Sequence, residues 1–173
     1  MNGKENAECS SASAQRASQT RESIKEEKDV RGIHLMLAED NELNAEIVKA
    51  LLEKRGITVD VAQDGRKALK MFKSHGSGTY SLILMDIMMP DMDGLHATRA
   101  IRALIREDAR TIPIVAMTAN ALGEDAQKCL AAGMNMHLSK PIRIEELVAL
   151  IARLCQRKQR DEPPAPPPKS AKY

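Results

Sequence analysis

The chain has 173 residues, of which 43% are hydrophobic and 29% are charged, and its formal net charge at pH 7 is +2. This length suits one domain with tails, and the near balance of charge argues against nucleic acid or an anionic membrane as a bulk partner. The longest apolar stretches fall far short of the roughly 20 residues that a membrane-spanning helix needs.

The two ends of the chain differ in composition from its middle. Residues 1–31 are rich in Ser, Ala, Gln, Glu and Lys, which predicts a disordered N-terminal extension. Residues 157–173 carry the basic excess and most of the eight prolines, which predicts a disordered, basic, Pro-rich tail. Residues 32–156 are therefore predicted to form the folded domain, with no second globular domain after residue 157.

Between the tails, short apolar runs alternate with segments of helical periodicity, the pattern of βαβ units and a parallel sheet. In chain order, the predicted strands are 33–38, 57–62, 80–85, 112–117 and 134–139. Five helices are predicted. The first runs from Leu43 and stops at Gly56, and the second begins after Asp64. The third runs from Leu95 to about Glu107, the fourth covers about 122–132, and the fifth covers 144–154. Right-handed crossovers then place helices on both faces of a five-stranded sheet.

Polar residues follow four of these strands. Glu39 and Asp40 follow the first, Asp86 the third, Thr118 the fourth and Lys140 the fifth. Because ligands bind outside the carboxyl ends of parallel strands, these side chains are expected to converge on one site. Each alone has a simpler explanation, such as a helix N-cap, a turn residue or a solvated lysine. Their joint occurrence at strand ends argues against coincidence.

The convergence of three carboxylates predicts a metal site. Like charges at Glu39, Asp40 and Asp86 repel one another, and a divalent cation relieves that cost. Since only oxygen ligands are on offer, with the backbone carbonyl of Met88 as a further candidate, Mg²⁺ is favoured and zinc is not.

An Asp carboxylate beside Mg²⁺ can act as a nucleophile toward phosphorus and form an acyl phosphate. Asp86 is the candidate nucleophile, because it follows the third strand directly. The Lys140 ammonium and the Thr118 hydroxyl would help to neutralise the charge on the phosphoryl oxygens.

The segments around these residues resemble a known family. Residues 35–154 are similar to the receiver domain of two-component response regulators. The likeness is carried by Ala-Glu-Asp-Asn at 38–41 with Asn44, Leu-Met-Asp-Ile-Met-Met-Pro-Asp-Met-Asp-Gly at 84–94, Met-Thr-Ala-Asn-Ala at 117–121 and Leu-Ser-Lys-Pro-Ile at 138–142. The two asparagines and the Thr-Ala-Asn-Ala run most resemble receivers attached to hybrid sensor histidine kinases.

The resemblance implies a flavodoxin-like (CheY-like) α/β fold with a five-stranded parallel sheet in the order 2-1-3-4-5. It implies that Asp86 accepts a phosphoryl group from a phosphohistidine. Glu39 and Asp40 would hold Mg²⁺, Thr118 would be the switch hydroxyl, and Lys140 would be the phosphoryl partner.

The resemblance also implies a cis peptide bond before Pro141 and a conformational switch on the fifth strand. In the family the switch position on that strand is commonly Tyr or Phe, whereas here it is His137. Because a His side chain changes charge near pH 6.5, we expect coupling that is weaker or sensitive to pH. A partly exposed surface histidine is the alternative.

The partners that the resemblance implies are a histidine kinase or a histidine phosphotransfer protein, with a downstream protein target of the phosphorylated surface. A homodimer formed on phosphorylation stays open, as does the choice between a stand-alone receiver and part of a hybrid kinase. Direct contact with nucleic acid or membrane is not expected. The chain is not expected to be an enzyme beyond its own phosphorylation and dephosphorylation.

Two other functions compete with a phosphorylated receiver. A pseudo-receiver would keep the fold as an interaction module without phosphorylation. A phosphatase of the haloacid-dehalogenase type would need a second Asp two residues after the nucleophile, a place that Met88 occupies here.

The cysteines bear on the compartment. Cys9, Cys129 and Cys155 are an odd set without metal-like spacing, and the N-terminus has no apolar signal segment. These features predict a reduced, cytoplasmic protein.

Overall fold

A computed structural model describes residues 30–119 and 124–161. Within these ranges the strands are β1 His34–Ala38, β2 Thr58–Ala62, β3 Leu82–Asp86, β4 Ile114–Thr118 and β5 Met136–Ser139. The helices are α1 Glu42–Glu53, α2 Gly65–Ser74, α3 Gly94–Arg102, α4 Glu107–Thr111, α5 Glu124–Ala132 and α6 Ile144–Asp161. None of these helices is long and apolar enough to cross a lipid bilayer.

The five strands form one parallel sheet in the order β2-β1-β3-β4-β5, which confirms the predicted architecture. β3 lies at the centre and is buried along its whole length. Its last residue, Asp86, pairs in register with Met117 of β4. The centre of the sheet thus carries Asp86 to the edge where the carboxyl ends of the strands meet.

Two apolar cores flank the sheet, because successive side chains of a strand point to opposite faces. Leu35 and Leu37 of β1 pack with residues of α1 and α6 on one face. Met36, between them, packs with residues of α2, α3 and α5 on the other face. Helices therefore cover both faces, as the hydrophobic periodicity predicts.

Side-chain caps set the starts of three helices. Asn41, Asp64 and Asp93 each accept a hydrogen bond from the backbone N–H three residues on, at the first turn of α1, α2 and α3. Such caps satisfy N–H groups that have no partner inside the helix. Asn41 and Asp93 follow the carboxyl ends of β1 and β3, so the caps also anchor the loops around the predicted site.

The prediction of one helix from Leu95 to about Glu107 is wrong. α3 ends at Arg102, and a separate short helix, α4, follows after a turn. The Arg102 guanidinium donates to the carbonyls of Gly133, Ala109 and Ile112 at 2.9, 2.7 and 2.8 Å. These long-range bonds hold the chain in the turn, and tertiary contacts override the helix propensity of the segment.

The third, fourth and fifth strands begin two residues later than predicted, at Leu82, Ile114 and Met136. Asn135 explains the shift on β5, because its side-chain oxygen accepts from the backbone N–H of Ile114 at 2.8 Å. At the start of β4, on the side that faces β5, the Asn135 side chain therefore accepts the Ile114 N–H in place of a backbone carbonyl.

The two predicted tails lie mostly outside the described residues. α6 continues to Asp161, so residues 157–161 of the predicted tail are helical. Residues 1–29 and 162–173 lie outside the described ranges, and the predictions made for them stay predictions.

Candidate functional site

The carboxyl edge of the sheet brings together the charged residues that the sequence singles out. The Nζ atom of Lys140 lies 2.5 Å from Oδ2 of Asp86 and 2.7 Å from Oε2 of Glu39. Lys140 follows β5, whereas the two carboxylates come from the ends of β3 and β1. Residues far apart in the sequence therefore meet at one point, as predicted.

The site residues differ in exposure. Glu39, Asp86 and Thr118 are 3%, 4% and 5% exposed, whereas Asp40 is exposed and the Met88 side chain projects outward. From the sequence, Glu39 and Asp40 are expected to be an equivalent acidic pair. In the structure, the Glu39 carboxylate is buried and the Asp40 carboxylate is exposed to solvent. Asp40 is thus the most solvent-accessible of the three carboxylates.

Both oxygens of the Asp86 carboxylate accept hydrogen bonds. The backbone N–H of Met88 donates to Oδ1 at 3.1 Å, and Lys140 donates to Oδ2. Burial raises the pKa of Asp86, and the bonds from Lys140 and Met88 offset part of that effect. The carboxylate is oriented by these donors and sits in a poorly solvated pocket.

The ammonium of Lys140 is shared by the Asp86 and Glu39 carboxylates. Burial lowers its pKa, but hydrogen bonds to Asp86 and Glu39 outweigh burial and raise the pKa overall. Lys140 is therefore charged at neutral pH.

The acid cluster, defined as Glu39, Asp40 and Asp86, offers one oxygen from each residue, and the three oxygens lie within 4.8 Å of one another. Among the described residues, this cluster has three carboxyl groups beside the ammonium of Lys140, so acidic groups outnumber the basic one. A compact set of hard oxygen donors with an excess of negative charge suits Mg²⁺. The Met88 carbonyl stays a predicted further ligand of the ion.

Thr118 ends β4, one residue beyond Met117, the register partner of Asp86. Its carbonyl accepts from the backbone N–H of Lys140 at 2.7 Å, which ties the ends of β4 and β5 together. The bond between Lys140 and Pro141 is cis, as the resemblance implies. Asn120, which the Thr-Ala-Asn-Ala motif places nearby, lies outside the described residues.

His137 lies on β5, three residues before Lys140. It is exposed in β5, where it pairs in register with Ala116 of β4. This placement agrees with a surface histidine, and the switch role of His137 stays a prediction.

Sequence reasoning missed the close approach of α3 to the site. A Cβ atom on Gly94 would lie 2.1 Å from the carbonyl oxygen of Asp86, which no side chain can tolerate. The N–H of Gly94 also donates to the Ile87 carbonyl at 3.1 Å. The Asp-Gly pair at 93–94 was a recognisable turn signal, but the need for glycine comes from a contact across the loop.

A second contact is absent from the sequence prediction, in which Asn44 is only part of a motif. Its side-chain amide donates to Oε1 of Glu39 at 3.3 Å. Asn44 thus belongs to the surroundings of the acid cluster.

Comparisons with known proteins agree with this geometry. The family model described as "Response regulator receiver domain" matches residues 35–152. The aerobic respiration control sensor protein ArcB of Escherichia coli is 45% identical over 122 residues, which cover 70% of this chain and 15% of ArcB. The chain therefore spans a small part of this curated relative's length.

Two solved structures show the same fold. The receiver domain of sensor histidine kinase PA1611 from Pseudomonas aeruginosa, solved with a magnesium ion coordinated in its active-site cleft, has a TM-score of 0.65 and 40% identity, covering 72% of this chain and 98% of that one. The Ssk1 receiver domain of Saccharomyces cerevisiae, solved in complex with the histidine phosphotransfer protein Ypd1, has a TM-score of 0.66 and 27% identity, covering 75% and 92%.

Proposed function

Since the chain belongs to the response regulator receiver domain family, we propose that it accepts a phosphoryl group from a phosphohistidine on Asp86. The observation that supports this most strongly is the Asp86 carboxylate itself, 4% exposed and held between the Lys140 ammonium and the N–H of Met88. Donors on both oxygens orient the carboxylate for attack before a donor protein arrives.

The transfer step follows from this geometry. A carboxylate oxygen of Asp86 attacks phosphorus while the bond from phosphorus to the imidazole nitrogen breaks, and the electron pair of that bond stays on the imidazole. Bound at Glu39, Asp40 and Asp86, with the Met88 carbonyl as a further ligand, Mg²⁺ would offset the charge on the phosphoryl oxygens.

Lys140 and Thr118 act on the product side of this step. Lys140 already donates to the carboxylate oxygen of Asp86, and on phosphorylation its ammonium can pair with a phosphoryl oxygen instead. Thr118, at the end of the neighbouring strand, would supply a hydroxyl donor and couple the site to the surface beyond β4. These roles rest on the placement of both residues at the same sheet edge as Asp86.

The partner that supplies or receives the phosphoryl group would be a histidine kinase or a histidine phosphotransfer protein. The complex of the Ssk1 receiver with Ypd1 supports a partner of this kind. We propose that the covalent chemistry of the chain is limited to its own phosphorylation and dephosphorylation, with signalling by contact. A cytoplasmic location stays a prediction from the cysteines.

The pseudo-receiver alternative is not favoured. A receiver that had lost phosphorylation would be expected to lack some of the groups required for it, whereas the acid cluster, Thr118 and Lys140 are all in place. The phosphatase alternative is not favoured either, because the position two residues after Asp86 is an exposed Met88.

The proposal is tested by transfer from a histidine phosphotransfer protein that carries radiolabelled phosphohistidine. With Mg²⁺ present, label should move to the wild-type chain and be released by hydroxylamine, which cleaves acyl phosphates. Asp86→Asn should take up no label. Asp91→Asn, the same chemical change at an exposed loop carboxylate, should behave as wild type. Equal labelling of the Asp86 variant would contradict the proposal.

A further inference from the structure

The first turn of α1 places Asn44 next to the acid cluster. The Asn41 side chain accepts from the backbone N–H of Asn44 at 3.0 Å, in the usual manner of an N-cap. In a capping box the residue at this position returns its side chain to the cap's own backbone. Here the amide of Asn44 instead reaches Oε1 of Glu39, two residues before the cap.

The two oxygens of Glu39 therefore have separate partners. Lys140 binds Oε2 at 2.7 Å, and Asn44 binds Oε1 at 3.3 Å. The Glu39 side chain has one more rotatable bond than an Asp, and each freely rotating bond that must be ordered costs free energy. With an amide on one oxygen and an ammonium on the other, the carboxylate has a defined orientation before any ion binds.

We propose that Asn44 is a positioning residue for Mg²⁺: its amide orients the Glu39 carboxylate so that the acid cluster is preorganised for the ion. The inference rests on the proposed function in so far as it takes the acid cluster to bind Mg²⁺. Asn44 touches neither the ion nor the phosphoryl group and acts through Glu39.

The exposure of Asn44 limits how much its amide can contribute to Mg²⁺ affinity. Asn44 is exposed and lines a groove of about 490 Å³ together with Glu39, Lys140 and Pro141. Hydrogen bonds that orient metal ligands are typically worth about 10–100-fold in metal affinity. Because water can replace part of this long bond, we expect the lower end, about 10-fold.

The test is a double-mutant cycle on Mg²⁺ binding, measured by titration calorimetry without a phosphoryl donor. Asn44→Ala removes the amide, and Glu39→Asp shortens the acid by about 1.5 Å, out of reach of Asn44. Asn44→Ala should weaken Mg²⁺ binding about 10-fold in the wild-type background and less than about 2-fold in the Glu39→Asp background. Leu43→Ala, a neutral truncation at an exposed neighbour in α1, is the matched control and should change the Kd little.

A second readout does not depend on the metal. In the metal-free protein, the NMR resonances of the Asn44 side-chain amide should shift on Glu39→Asp, and they should stay unchanged on Leu43→Ala. The chemical shifts also show whether each variant is folded.

Each outcome has a distinct meaning. If wild type and Leu43→Ala bind Mg²⁺ and Asn44→Ala binds equally well, the positioning role is refuted while the proposed function stands. An equal loss in both backgrounds also refutes it, because Asn44 would then act independently of Glu39. If wild type binds no Mg²⁺, the proposed function itself fails.

Discussion

Lys140→Met tests how the site manages its buried charge. The substitution removes the ammonium that lies 2.5 Å from Asp86 and 2.7 Å from Glu39, and it leaves two carboxylates that are 4% and 3% exposed. Removing one partner of a buried ion pair typically costs about 3–5 kcal/mol. We expect the full loss only where both carboxylates stay ionised.

The stability that Lys140→Met loses is expected to grow as the pH rises. Without Lys140, burial and the neighbouring Glu39 raise the pKa of Asp86 further above 3.8. Between the ordinary and the raised pKa, the folded variant holds a proton that the unfolded chain releases. Its stability therefore falls by up to about 1.4 kcal/mol for each unit of rising pH in that window.

Urea unfolding at pH 5 and pH 8, followed by circular dichroism, measures this effect. The deficit of Lys140→Met relative to wild type should be about 1–2 kcal/mol at pH 5 and about 3–5 kcal/mol at pH 8. Mg²⁺ should stabilise the variant more than wild type at pH 8, because the ion replaces a missing positive charge. Lys49→Met, which breaks an exposed pair with Glu53 in α1, should cost less than about 1 kcal/mol at both pH values.

A deficit for Lys140→Met that is small and independent of pH would refute this reasoning. It would mean that the two carboxylates are well solvated without the lysine.

Three further predictions concern the scaffold. The hydrogen bonds from Arg106 lower the pKa of Asp108 to about 2. The ionised Asp108 carboxylate therefore stabilises the folded state above pH 4, and this stabilisation is lost as the pH falls toward 2. Asp108→Asn should thus cost about 2 kcal/mol in urea unfolding at pH 7, and little near pH 2. Thr98 is fully buried, and its hydroxyl has no hydrogen-bond partner among the described residues. Thr98→Val should therefore raise the free energy of unfolding by about 1 kcal/mol, and a lower melting temperature would contradict this. Gly94→Ala would place a methyl group against the backbone carbonyl of Asp86 and displace the residue that accepts the phosphoryl group. Phosphorylation by acetyl phosphate should therefore be slower on the order of 10-fold. Gly76→Ala, where a Cβ finds ordinary van der Waals space, is the control and should label at the wild-type rate.

Much of the fold could be predicted, because it depends on periodicity along the chain. Alternating apolar runs and helical faces predict five parallel strands with helices on both faces, and the strand order is what the resemblance to receiver domains implies. The end of α3 could not be predicted, because residues 103–112, which follow Arg102, contain no glycine or proline to stop a helix. What ends α3 is a set of hydrogen bonds from Arg102 to carbonyls that lie up to 31 residues away in the chain.

The site shows the same division. The positions of Asp86 and Lys140 at strand ends were visible in the sequence, and the topology alone brings them together. The unequal burial of Glu39 and Asp40 was not visible, because adjacent residues carry the same charge and only the packed structure separates them. The hydrogen bond from Asn44 to Glu39 could not be predicted either, because it depends on the residue at which the first turn of α1 begins.

The measurement that tests the central claim most directly is the intact mass of the chain after incubation with acetyl phosphate and Mg²⁺. Wild type should gain one phosphoryl group, about 80 Da, and should gain none when EDTA removes the metal. Asp86→Asn should show no adduct under either condition. An adduct that persists in Asp86→Asn, or none on the wild-type chain, would contradict the account.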